Sequence, residues 1–241
     1  MTILTPTLSR RDFLAATAAG VSACACQGVP REVAPLDIPN ETRMDAPLFF
    51  SADERRFIVA ACSRLIPKDE LGPGAVEAGV PDFIDRQLAG PYGQARTWYM
   101  HGPWEKGTAE QGYQLKSTPA ELYRLAIRDI DDYCREKYRN AFAYINTQDQ
   151  DEVLGTLEKK DGIDLPNAPG NAFFTMLLQN TTEGFLSDPM YGGNRDFAGW
   201  KLIGFPGPRY NYVEQIEQYG TPYTLPPVGL LGRRGTGVTK A

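Results

Sequence analysis

Apolar side chains recur at helical spacing in five separated stretches of this chain, and no strand-length run alternates strongly. The first stretch opens with Ser51-Ala52-Asp53-Glu54, a capping box with Ser51 as N-cap, and continues as Phe57, Ile58, Ala61, Cys62 and Leu65. Pro67 ends it. The turn segment Leu71 to Ala75 leads to Pro81, which suits the first turn of a short helix carrying Phe83, Ile84 and Leu88, with Gly90 past its end. Thr118-Pro119-Ala120-Glu121 repeats the capping box with proline at the first helical position. It predicts the longest helix, as far as Ala143, with Leu122, Leu125, Ile130, Tyr133 and Cys134 inward. Thr147 is expected to cap a helix carrying Val153, Leu154 and Leu157 that stops near Asp161-Gly162. A fifth helix is expected from Asn171 to Thr182 around Phe173, Phe174, Leu177 and Leu178.

The connections are as distinctive as the helices. Residues 90–117 form a long irregular excursion holding Tyr92, Trp98, Tyr99, Trp104, Tyr113 and the only histidine, His101. Residues 184–212 combine sharp-turn glycines and prolines with Trp200, Phe205, Tyr210 and Tyr212, around one short helix expected from Asp196 to Ile203. The expected fold is all-α, with long Gly/Pro/aromatic loops. It divides into a leader (1–26), a proline-punctuated linker (27–48), a helical domain (49–212) and an extended tail (213–241).

Composition adds limits. The net charge is −5 and no basic stripe is present, which argues against nucleic-acid binding. The 24 glycines and 19 prolines require long loops, yet stay below a low-complexity composition. Cys62 and Cys134 both fall on expected helices. They can pair in an oxidising compartment or remain as two buried thiols, and spacing does not choose between these.

The first twenty-six residues read as an address rather than as structure. Ser9-Arg10-Arg11-Asp12-Phe13-Leu14 precedes an alanine-rich, weakly apolar run, the pattern of a twin-arginine export signal. That route carries folded proteins, so the expected destination is periplasmic. The run is far short of the ~20 residues needed to span a bilayer. Val21-Ser22-Ala23-Cys24 has the form of a lipobox, so lipidation at Cys24 competes with ordinary cleavage between Ala23 and Gly28.

Motifs that carry chemistry are missing. There is no Cys-x-x-Cys-His for haem, no Gly-x-Gly-x-x-Gly after a strand, no Gly-x-Ser-x-Gly and no phosphate loop. One histidine excludes a multi-histidine metal site. His101 reads as a proton relay or as a hydrogen-bonded member of an aromatic loop. Asp188 and Arg195 read as a substrate pair or as a turn cap and a loop brace.

Three blocks resemble the small, third subunit of membrane-associated, flavin-dependent gluconate 2-dehydrogenase. They are Ile66 to Ala75 continuing to Gln87-Leu88, Trp98 to Trp104, and Asp188-Pro189-Met190-Tyr191-Gly192-Gly193-Asn194-Arg195 through Tyr212, covering about residues 48–212. The resemblance implies a large subunit holding FAD, a multihaem cytochrome c subunit, and a small subunit without a redox centre. That small subunit brings the large one through the twin-arginine translocase. It implies no catalytic, cofactor or metal residue in this chain. Trp98, Trp104, Arg195, Trp200, Phe205, Arg209 and Tyr210 are the candidate partner surface. Trp200, Phe205 and Tyr210 could equally cover the chain's own core.

Overall fold

Helix α1 (Ala52–Leu65) starts where its capping box requires: Glu54 N donates to Ser51 Oγ, and Ser51 N donates to the Glu54 carboxylate at 2.7 Å. The computed structural model describes residues 47–105, 107–159, 162–163 and 165–232. Helices α2 (Val80–Ala89), α3 (Pro119–Tyr138), α4 (Thr147–Leu157), α5 (Gly170–Leu186) and α6 (Ala198–Ile203) follow, and there is no sheet among the described residues. The fold is all-α.

Among the described residues, helix α5 touches all five other helices. It can do so because apolar residues occupy more than one of its faces: Phe173, Phe174, Met176, Leu177 and Phe185 are all buried. Phe173 and Phe57 meet Tyr123 and Phe142 in a ring cluster with centroids 4.6–6.2 Å apart. Tyr123 is wholly buried, so its hydroxyl needs a partner. Asn180 Nδ2 donates to it at 3.0 Å, and Asn180 Oδ1 accepts from Tyr92 at 3.1 Å.

Buried aspartates tie the loops to this helical frame. Asp85 on α2 accepts from the N–H groups of Leu48, Phe49 and Phe50 at 2.6–3.0 Å. Asp129 on α3 holds the backbone and side-chain N–H of Asn167, and Asp131 holds Phe142 N at 3.0 Å. Each carboxylate satisfies donors that burial would otherwise leave unpaired.

Several expected boundaries move for local reasons. Helix α3 ends at Tyr138 rather than Ala143, because Arg139 adopts a left-handed cap (φ 63°) and the chain turns to reach Asp131. Asn146, not Thr147, caps α4: its Oδ1 accepts from Asp149 N at 2.9 Å. That helix ends at Leu157, and α5 runs four residues beyond Thr182. The helix expected from Asp196 begins at Ala198, because Asp196 and Phe197 are left-handed. Cys62 and Cys134 are free buried thiols. Burial pushes each up to about 12, opposed at Cys62 by a contact with Thr181.

Candidate functional site

Sequence points to two regions, and the structure treats them differently. The first is the 90–117 excursion. Trp98 sits between Tyr92 and Tyr113, with ring centroids 5.7 and 5.1 Å away. Burial raises the pKa of both tyrosines, and Tyr113 donates to Ser117 O at 2.6 Å. These rings, with Trp104, wall a cleft of about 890 Å³ whose opposite side is the Asn171–Thr175–Gln179 stripe of α5. His101 stands outside it, exposed beside the Tyr99 ring at 5.4 Å.

The second region starts at the C-terminal end of α5. Asp188 caps a 3-10 turn by accepting from Met190 N at 3.0 Å. Gly193 then passes so close to α5 that a Cβ there would lie 2.1 Å from Gly184 O, which excludes any other residue without movement. Asn194 closes the turn: its Nδ2 donates to Ser187 O at 2.7 Å, and its Oδ1 accepts from Gly199 N at 2.8 Å. Three non-glycine residues in four, Asn194, Asp196 and Phe197, have φ between 46° and 58°. Such backbone persists only where its surroundings over-determine it.

This geometry sorts the candidate residues. Trp200 is 4% exposed; its Nε1 donates to Leu186 O at 2.7 Å, and its ring lies between Phe197 and Phe205. It seals the chain's own core and offers no free surface. Arg195 is half-buried and engaged within the chain. Its guanidinium, with that of Arg55, clamps buried Asp82 of α2, and its side chain lies over Gly79. Arg209 donates to Pro226 O and stacks on Tyr223 at 5.1 Å. Phe205 is partly exposed, and Tyr210 is fully exposed. Trp104 is half-exposed at the cleft, whereas Trp98 is packed within it.

Asp188, Arg195 and His101 are not gathered around one pocket by these contacts. Asp188 holds backbone N–H groups of Met190 and Leu230, Arg195 holds Asp82, and His101 faces Tyr99. The export-signal residues Arg10, Arg11, Phe13 and Leu14, and the lipobox residue Cys24, lie outside the described residues. Sequence reasoning missed Asp82, Asp85, Asp129 and Asp131. Their signal was an acidic residue inside an apolar helical stripe, as in Phe83-Ile84-Asp85 and Asp129-Ile130-Asp131.

Residues 204–232 carry a feature that residue type alone did not announce. Two legs run antiparallel and are joined at three levels. Val228 N donates to Pro206 O at 3.2 Å, Arg209 meets Pro226 O, and the Tyr212 and Tyr223 rings lie 5.9 Å apart. Leu230 N donates to Asp188 Oδ2 at 2.7 Å and fixes the base. The tail is therefore a stapled arm as far as Gly232, where an extended segment was expected.

No curated protein and no solved structure matches the chain. The family model of gluconate 2-dehydrogenase subunit 3 matches residues 52–207, from the start of α1 to the base of the arm. That match takes in all six helices of the described residues and the Asp188–Gly199 turn, and this chain belongs to the gluconate 2-dehydrogenase subunit 3 family.

Proposed function

We propose that the chain is a non-catalytic, exported subunit of a periplasmic, membrane-associated dehydrogenase complex that oxidises gluconate or a related sugar or sugar acid. The family match over residues 52–207 carries this reading. In it, a large subunit holds FAD and performs the oxidation, and a multihaem cytochrome c subunit accepts the electrons. This chain stabilises the large subunit and takes it through the twin-arginine translocase on the strength of Arg10 and Arg11. The complex resides at the outer face of the inner membrane.

The geometry supports recognition over chemistry. The polar residues singled out in the sequence are engaged in holding the fold, while large apolar side chains remain exposed, most of them between Leu186 and Leu231. Exposed apolar side chains in that number support a contact surface over a solvated face. The rival reading, an enzyme using Asp188, Arg195 and His101 together, needs those side chains to converge, and their contacts lead elsewhere.

The test is Arg10→Lys with Arg11→Lys in the native host, with both subunits tracked by fractionation. This protein and the dehydrogenase activity should remain in the cytoplasm together. Normal periplasmic activity in that variant refutes shared export. A large subunit that is stable and exported without this chain refutes the accessory role.

A further inference from the structure

The arm over residues 204–232 is built in the reverse order from a protein core. Polar groups and two of its tyrosine rings join the legs, and large apolar side chains at Tyr210, Val213, Ile216, Tyr219 and Leu225 are exposed. The tip, between the Tyr212 and Tyr223 rings, is a chain of i→i+3 turns. Gln215 N donates to Tyr212 O, Ile216 N to Val213 O, Gln218 N to Gln215 O and Thr221 N to Gln218 O, at 2.9–3.4 Å. Val213, Ile216 and Tyr219 recur at intervals of three along these turns and are 67%, 64% and 88% exposed. Tyr210 on the adjoining leg is fully exposed.

We propose that this tip is the specificity element of the complex: the Val213–Ile216–Tyr219 stripe, flanked by Tyr210, inserts into an apolar groove of the flavin-bearing large subunit. This rests on the assignment of the chain as an accessory subunit and adds which surface selects the partner. Three observations support a protein groove as the occupant.

The first is area. At about 200 Å² per aromatic and about 100 Å² per aliphatic side chain, scaled by exposure, Tyr210, Val213, Ile216 and Tyr219 offer about 500 Å². That is more than half of one side of a standard protein interface, about 800 Å². The second is preorganisation. The staples at Pro206–Val228, Arg209–Pro226 and Asp188–Leu230 fix the backbone beforehand, which lowers the ordering cost of binding.

The third is charge. The charged residues at the tip are Glu214 and Glu217; Arg209 is held within the arm, and Arg233, Arg234 and Lys240 follow its base in the sequence. An acidic rim calls for Lys or Arg around the receiving groove. It is repelled by an anionic lipid surface. It is also disfavoured against a second copy of a chain whose net charge is −5. The family match ends at residue 207, where the legs begin, so the tip lies outside the matched region. There the chain can fit its own large subunit and discriminate against a related one.

The experiment uses the full chain co-expressed with its large subunit, tagged on the large subunit. The double variant Ile216→Asp with Tyr219→Asp should keep wild-type helicity and melting temperature and bind at least tenfold more weakly. Ile216→Leu with Tyr219→Phe should bind within about twofold of wild type. Unchanged affinity in the Asp variant, with a wild-type complex that forms normally, overturns the tip assignment and leaves the accessory function standing. Unchanged affinity combined with lost self-association, or with lost binding to anionic phospholipid vesicles, overturns it in favour of a second copy or a membrane. Failure of the wild-type chains to co-purify removes the accessory function and the tip assignment together.

Discussion

The helical core and the C-terminal arm solve opposite problems with the same residue types. In the core, Phe57, Tyr123, Phe142 and Phe173 exclude water, and the few polar groups inside, such as Asp85 and Asn180, serve donors and acceptors that burial would strand. In the arm, carbonyls, N–H groups and a guanidinium join the legs, and Tyr210, Val213, Ile216 and Tyr219 face solvent. Apolar side chains thus act on stability in one region and are free to act on association in the other. A substitution should reveal which region it is in by which measurement moves.

The largest stability loss belongs to the ring cluster. Phe173→Ala removes a fully buried side chain beside Phe57 and Tyr123 and should cost about 3–5 kcal/mol in denaturant unfolding. A loss of that size from Tyr219→Ala would break the comparison, because it would make the arm part of the core. Asp85→Ala comes next. It strands the N–H groups of Leu48, Phe49 and Phe50 and should cost about 3 kcal/mol. Amide exchange at residues 48–50 should rise more than in α5.

Asp131 sharpens the comparison by its pH dependence. Burial raises its pKa, opposed by the N–H of Phe142 and by Arg135. The folded state therefore holds the proton more tightly than the unfolded chain. That contribution is complete below the ordinary carboxylate pKa, about 3.9, and is lost as pH rises through the raised folded value. Asp131→Asn keeps an acceptor for Phe142 and should flatten the stability profile just above pH 4, as followed by thermal melts. The smallest stability change is expected at the tip. Ile216→Asp should shift unfolding by no more than about 0.5 kcal/mol, since the side chain touches water in the isolated chain.

The sequence reveals what depends on near neighbours. Both capping boxes, the five longer helices and the all-α class follow from contacts three or four residues apart, and the structure has them. Features that depend on distant partners are hidden. Asp85 reads as one acidic residue in a short helix until Leu48–Phe50 arrive from 35–37 positions away. Gly192-Gly193-Asn194 announces a turn, but the left-handed Phe197 follows from packing that no local pattern encodes. Trp200 and Tyr210 look alike as aromatic residues between glycines and prolines. One is sealed by Leu186 O and two rings, and the other projects from a leg whose partner lies beyond residue 222.

The Asp85 clamp also has a mechanical meaning. Leu48, Phe49 and Phe50 hang from one carboxylate on α2, and Arg124 of α3 donates to Phe49 O at 2.9 Å and stacks on its ring. A pull on the chain ahead of Leu48 does not peel α1 from its first turn. It loads α2 and α3 sideways, several bonds at once, through side chains that come together only when both helices are seated. Tension on the N-terminal segment is thereby resisted by the assembled fold rather than by the strand being pulled.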